Sequence, residues 1–529
     1  GRKCGGGRMK CMFFTINCIF FMFSQSIDDV MISSDGRIKP LQTFFKESIR
    51  ILYGKETTNI ASVKRSATKT VIYLYDESSD CKTEALFRLD HLALKQHVGL
   101  NEAETFFNYH TLSSNETLKE TITEAVRKSR NEEKITEVED AALQINQQLN
   151  VFSRLMNVLS YEIIPKNQSF ISVYDGLIEG IELEFKSGFV PLILDVAEVQ
   201  SVELSEELLS KRNYELQYNA LNLFLWTWVL MCVSTLFMCI YQITPRKTIY
   251  RLAGITFAIS LSLLIYGFIL RVLISGRAPV TNMYESVLWV GFTAAAIAAF
   301  QFLSKKENTK KRIPYSLVAG TLSIMAADLL PTVFDSSISP LQPVLRSNFW
   351  LTTHVLIITF SYGAFGVSFI ISLVSVLRYV FQNQRYSVVT ERANYSTLKI
   401  GTLTLALGTL TGALWADYAW GRFWGWDPKE TWAAITLVLY MIILHGRFAG
   451  WVKKELNFIY SIFGFISVLM AWYGVNYILG VGLHSYGFSK SGNSWFFYLA
   501  LALTVLNMFA IKKFNKENKQ AHLKTAYTS

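Results

Sequence analysis

Trp415-Ala416-Asp417-Tyr418-Ala419-Trp420-Gly421-Arg422-Phe423-Trp424-Gly425-Trp426-Asp427-Pro428-Lys429-Glu430-Thr431-Trp432 places five tryptophans within eighteen residues, between two long apolar runs. The stretch is too polar to span a bilayer and too aromatic for an ordinary loop. It reads as a platform for a large, flat, apolar ligand. Its last part has a separate explanation. Asp427 suits a helix N-cap, Pro428 the first helical position and Glu430 the third, so these residues start the next helix. Tryptophan also collects at membrane interfaces as an anchor. That reading serves any one of the five indoles, but five in one loop exceed what a belt needs.

Outward from this stretch the chain is apolar. Of its 529 residues, 51% are hydrophobic, and runs long enough to cross a bilayer fall at about 219–243, 249–273, 286–303, 315–334, 351–380, 397–415, 431–450, 457–480 and 495–511. Residues 27–215 differ. They carry mixed charge, are polar and helix-prone over 115–158, and hold short strand-like runs over 169–203. The start is basic at Arg2, Lys3, Arg8 and Lys10, then apolar from Cys11 to Phe23, which resembles a signal peptide or a short N-terminal anchor. The expected fold is a polytopic α-helical membrane protein of about nine spans with an N-terminal exported mixed α/β soluble domain. Its parts are 1–26 (signal or anchor), 27–215 (exported, periplasmic-side domain) and 216–529 (transmembrane domain carrying the tryptophan-rich segment 415–432).

The formal net charge is +10. Nucleic-acid binding is excluded because the basic residues sit in loops between spans, the pattern of membrane orientation. With residues 27–215 outside, the inner loops hold about nineteen Lys and Arg and the outer loops about five. The tryptophan-rich segment then lies on the outer face. None of the six cysteines forms a Cys-x-x-Cys pair, which argues against a thioredoxin-like dithiol, a paired zinc knuckle or covalent haem attachment to this chain. Cys81 is alone in the soluble domain, and Cys232 and Cys239 lie within an apolar run as packing residues.

The orientation sorts the histidines. His354 starts its span at the outer face, and His484 follows the outer end of another. His445 lies fifteen residues beyond Glu430, about 22 Å down its helix and nearer the inner face. Neutral imidazole is a common iron ligand. Two outer imidazoles beside a flat aromatic surface suit a planar tetrapyrrole with two axial ligands, and a third at depth suits a station on the path outward. The plainer reading of His445 is a core histidine bonded to a nearby carbonyl. His91, His97 and His110 read as surface or packing residues.

At Trp420 to Trp432, and in the outer loop Gly276-Arg277-Ala278-Pro279-Val280-Thr281-Asn282-Met283-Tyr284-Glu285-Ser286, the chain resembles the CcsA/ResC family of cytochrome c biogenesis proteins, the haem-handling group marked by a WWD segment. The resemblance covers about residues 220–511. It implies haem b as cofactor, with His354 and His484 as axial ligands and His445 receiving haem from the inner side. It also implies a CcsB/ResB-type partner, apocytochrome c with its Cys-x-x-Cys-His motif, thiol-reducing pathway proteins, and a place in the bacterial inner (cytoplasmic) membrane as part of a holocytochrome c synthase. Residues 27–215, around Asp35-Gly36-Arg37-Ile38-Lys39-Pro40-Leu41, stand where a diverged CcsB-like region would. Within this picture Trp415, Trp420, Trp424 and Trp426 meet the haem, and Arg422 or Lys429 pairs with a propionate, bidentate geometry favouring Arg. Two rival readings are a haem transporter without ligation activity and a b-haem, quinone-linked electron-transfer subunit. The second predicts paired histidines at one depth on adjacent spans.

Overall fold

The computed structural model describes residues 26–528, apart from 61, 79, 132, 167–168, 180, 182–187, 332, 342–346, 385 and 480–494. The signal-like segment 1–25 and His484 therefore lie outside the described residues. The chain divides into two compact units, Gly1–Ala220 and Leu221–Ser529.

In the first unit, β1 (Met31–Ser34) and β2 (Arg37–Pro40) form a hairpin. Its turn is Asp35-Gly36, with φ of 55° and 76°, the geometry for which Asp-Gly is favoured. Two ribbons follow, β3 (Thr57–Ile60) with β4 (Val63–Ser66) and β5 (Phe87–Arg88) with β6 (Phe106–Phe107). With β7 (Glu162–Lys166) and β8 (Ser169–Ser172), the hairpin completes an antiparallel sheet of order β2-β1-β7-β8. The helices are α1 (Leu41–Tyr53), α2 (Glu116–Arg130), α3 (Glu137–Leu155), α4 (Phe189–Glu203) and α5 (Glu206–Leu221). Phe44, Phe45 and Ile49 of α1, Ile145 and Phe152 of α3, and Leu192 and Val196 of α4 share one core.

Among the described residues, the strand-like reading of 169–203 holds for β8 alone; the apolar run at its end is the helix α4. Period alone does not separate a buried helix from a buried strand. The deciding contact is tertiary. Gln200 of α4 is buried and bonds the backbone of Met31 and Ile163, tying the helix to the sheet. Of the histidines, His91 caps a short helix and His110 bonds Asp80 at 3.2 Å. Buried Lys39 is neutralised by Glu47 at 2.5 Å and Asp35 at 3.0 Å, as a buried ammonium must be. Arg154 grips Asp35 through two bonds, and mainly for that reason the Asp35 carboxyl titrates well below the usual range.

The second unit is a helical bundle: α6 (Leu223–Ile243), α7 (Lys247–Ser275), α8 (Met283–Leu303), α9 (Ile313–Leu329), α10 (Leu356–Gln382), α11 (Val388–Trp420), α12 (Pro428–Phe448), α13 (Leu456–Leu469) and α14 (Trp495–Thr528). Among the described residues, eight of its helical segments are long and apolar enough to cross a membrane. The ninth expected segment, 315–334, falls on α9, whose 17 residues stand at the lower limit for a span. Cys232 and Cys239 are exposed on α6 rather than packed.

Small residues set the helix spacing. A Cβ on Gly291 of α8 would stand 2.5 Å from Ile324 of α9, and one on Gly320 would stand 3.2 Å from the Gly291 carbonyl. Polar pairs stitch the bundle: Asn394 of α11 joins Ser368 of α10 at 2.5 Å and Ser461 of α13 at 3.0 Å. Arg271 of α7 and Glu285 of α8, both buried, meet at 2.8 Å. The same Arg271 bonds the Ser336 carbonyl, and Glu285 takes both the amide and the hydroxyl of Thr281, so the pair pins two loops.

Candidate functional site

A cavity opens where α11 ends and α12 begins. One wall is the loop Val280 to Met283 with Ser286 of α8. A second is the face of α10 and the turn before it, from Leu351 and His354 down to Tyr362. A third is α11 from Thr409 to Trp420. Trp424, the first turn of α12 (Lys429, Glu430, Ala433) and the stretch Ala471, Trp472 and Asn476 complete it. The lining is mainly apolar and aromatic with polar side chains interspersed, a composition suited to an organic ligand that carries polar groups.

Two widened, π-helical turns flank this cavity, Leu351–Val355 with His354 and Met470–Leu479 with Trp472 and Asn476. Such turns break the regular ladder and are frequent at functional sites. His354 is placed by α11. Its Nδ1 donates to the Gly408 carbonyl at 2.8 Å, which sets the tautomer with the lone pair on Nε2, the metal-ligating form. The ring lies directly on Gly412, where a Cβ would stand 2.6 Å from Cε1. Gly408 makes similar room for Ile358, at 2.9 Å. Trp415, buried, meets the imidazole edge to face at 5.7 Å between centroids.

The loop between α11 and α12 is organised by its acids. Asp427 caps α12 and completes a capping box with Glu430, as the Asp-Pro-x-Glu spacing predicts. Glu430 also accepts from the Gly425 amide at 2.7 Å and stands 3.6 Å from Arg422. The Arg422 guanidinium lies over Trp420 at 5.8 Å and fills the space beside Gly425, where a Cβ would fall 1.1 Å from Nη1. Trp426 packs edge to face on Trp424 at 5.9 Å and holds φ of 58°, a strained conformation for a bulky residue.

The structure thus brings His354, Trp415, Trp420 and Trp424 to one cavity. Trp426 is 74% exposed and Arg422 is turned to Glu430, so neither is on the wall. His445 is remote, in the last turns of α12. Its Nδ1 bonds the Met441 carbonyl one turn back at 2.8 Å, yet the side chain is exposed on the bundle surface rather than in a core. Trp472 and Asn476 had not been singled out in the sequence, although an indole and an amide one turn apart within an apolar span are a usable signal. Trp472 bonds Ser286 at 3.2 Å and stacks on Phe334. Asn476 is 1% exposed, and its amide donates to the Trp472 carbonyl.

Fold and site define a multi-pass membrane protein of cytochrome c assembly: the family model described as Cytochrome C assembly protein matches residues 280–484. The cytochrome c biogenesis protein CcsA of Prochlorococcus marinus (strain MIT 9301) is 34% identical over 276 residues, 46% of this chain and 86% of that protein. CcsA of Heterosigma akashiwo is 32% identical over 255 residues, 40% of this chain and 77% of that protein. Protein NrfI of Wolinella succinogenes is 33% identical over 229 residues, which span 42% of this chain and only 24% of NrfI. The solved cytochrome c haem lyase CcmF aligns with a TM-score of 0.41 at 14% identity, over 55% of this chain and 50% of that one. The chain belongs to the CcsA family, and its work lies in cytochrome c biogenesis.

Proposed function

We propose that this protein holds haem b in the cavity beside Trp415, Trp420 and Trp424 and presents it for covalent attachment to apocytochrome c. His354 and His484 would be the residues that hold the haem iron through their imidazole nitrogens. The observation that carries the reading is the His354 imidazole, held by the Gly408 carbonyl in the ligating tautomer at the wall of an aromatic cavity. The donor chemistry fits haem iron, and the apolar walls fit a porphyrin face.

The loop charges support an orientation with residues 27–215 and the cavity on the outer side of a bacterial inner membrane. His445, exposed near the opposite end of α12, is the point where haem enters from the inner side or from a CcsB/ResB-type partner. The side chains position the cargo and exclude water; the haem vinyl groups supply the reactive carbons. Each Cys-x-x-Cys-His thiol of the apocytochrome adds across one vinyl group, sulfur bonding one carbon and the thiol proton ending on the other.

The test is the haem content and spectrum of the purified protein against His354→Ala and His484→Ala. The expected result is loss of haem or a changed Soret band in both, with loss of cytochrome c assembly. Wild-type content, spectrum and assembly in both variants sink the ligand assignment. Covalent product formed with the CcsB/ResB-type partner and apocytochrome separates ligation from transport alone.

A further inference from the structure

We propose that Lys429 is the residue that recognises a haem propionate and so sets which edge of the porphyrin faces α12; this rests on the haem reading of the cavity.

The acids at the cavity have hydrogen-bonded partners at the start of α12, whereas Lys429 has only the unbonded attraction of the nearby Asp427 carboxylate. Glu430 is held by the Gly425 and Asp427 amides at 2.7 and 3.3 Å and by Arg422 at 3.6 Å. Asp427, 6% exposed, spends an oxygen on the Lys429 amide at 3.0 Å as the helix cap. Arg422, the cation that bidentate geometry favoured, stands 3.6 Å from Glu430 and over the Trp420 ring and is not itself on the cavity wall. Lys429 lines the cavity, and its ammonium makes no ion pair or hydrogen bond among the described residues. The segments 342–346 and 480–494 contain no Asp or Glu.

Its placement is unfavourable without a ligand. Lys429 is the second residue of α12, where the helix dipole disfavours a cation, and it borders a mainly apolar space that solvates an ammonium poorly. A carboxylate in the cavity removes both penalties at once. It pairs with the ammonium and is welcome at a helix N-terminus. Haem b carries two carboxylates on one edge and its vinyl groups toward the other. Anchoring the acid edge at Lys429 turns the vinyl-bearing edge away from α12, so one residue both retains the cargo and orients it.

The experiment titrates the full-length protein in detergent with haem b and with haem b dimethyl ester, in which both carboxylates are masked, following the Soret band. The wild type is expected to bind the free acid about tenfold or more tightly than the ester, the scale of one charged hydrogen bond. Lys429→Met and Lys429→Gln lose that preference while keeping wild-type affinity for the ester, and Lys429→Arg retains it. Unchanged ester affinity also shows that the variants are folded. A wild type without preference, or a preference that survives in both Lys429→Met and Lys429→Gln, overturns the assignment and leaves the haem site standing. A wild type that binds neither porphyrin overturns the haem reading itself.

Discussion

Gly412→Ala tests how the imidazole is held. The added Cβ would stand 2.6, 2.9 and 3.3 Å from Cε1, Nδ1 and Nε2 of His354, against about 3.5–4.0 Å for a relaxed contact. The ring must therefore move by about 1 Å, and the 2.8 Å bond from Nδ1 to the Gly408 carbonyl is lost or badly stretched. Overpacking costs roughly 1–3 kcal/mol and the hydrogen bond about 1 kcal/mol more. The better helix propensity of Ala returns up to about 1 kcal/mol. The net, about 1–3 kcal/mol, falls mainly on the placement of His354 and corresponds to roughly 5- to 150-fold weaker haem binding. Gly366→Ala is the matched control, since a Cβ there meets nothing within 4 Å. Haem titration by Soret absorbance, with detergent thermal stability alongside, reads both variants. Gly412→Ala with wild-type haem affinity and spectrum refutes the claim that α11 positions the ligand.

Three further outcomes follow from other contacts. Arg271→Met or Glu285→Gln alone lowers thermal stability in detergent by an amount equivalent to about 3–5 kcal/mol, because it strands a buried partner, and the double apolar variant Arg271→Met with Glu285→Met recovers most of the loss; equal loss in single and double variants contradicts the pairing. Trp424→Ala weakens haem binding at least several-fold more than Trp426→Ala, since only the first indole is on the cavity wall, and equal effects in the titration count against that geometry. Asp35→Asn speeds hydrogen exchange in the β1–β2 hairpin of the intact protein at pH 7. Arg154 holds the folded carboxyl below its ordinary range, so the ionised carboxylate stabilises above the unfolded pKa of about 3.9 and that contribution fades as pH falls through it. The difference from wild type therefore shrinks near pH 2.5, and an undiminished difference there rules out the ion pair as its source.

The parts of the site that were legible are the ones with a local cause. The Asp427 capping box follows from Asp-Pro-Lys-Glu because its bonds join residues three apart. The long apolar runs gave spans because backbone satisfaction in lipid leaves helices as the available form. The strand-like reading of 169–203 gave way to a helix over its last part because that part is tied by Gln200 to β1 and β7, partners far away in sequence. Arg422 was favoured for its fork-shaped guanidinium, which says nothing about where Glu430 and Trp420 lie. For His445 the residue count gives a depth along α12 near the inner face, whereas the face it presents, exposed on the bundle surface, is set by neighbouring helices.

The sequence by itself determined the membrane class, the concentration of indoles between two spans and the helix start that ends it. These are matters of composition, periodicity and spacing along one chain. Only the tertiary structure decided that His354 rests on Gly412 with its Nδ1–H donated to the Gly408 carbonyl, that Trp472 and Asn476 close the same cavity, and that Lys429 rather than Arg422 lines it. Each of these depends on two or more helices approaching at a particular distance and rotation. That approach is fixed by glycines, a buried ion pair and stacked rings whose partners lie tens to hundreds of residues apart.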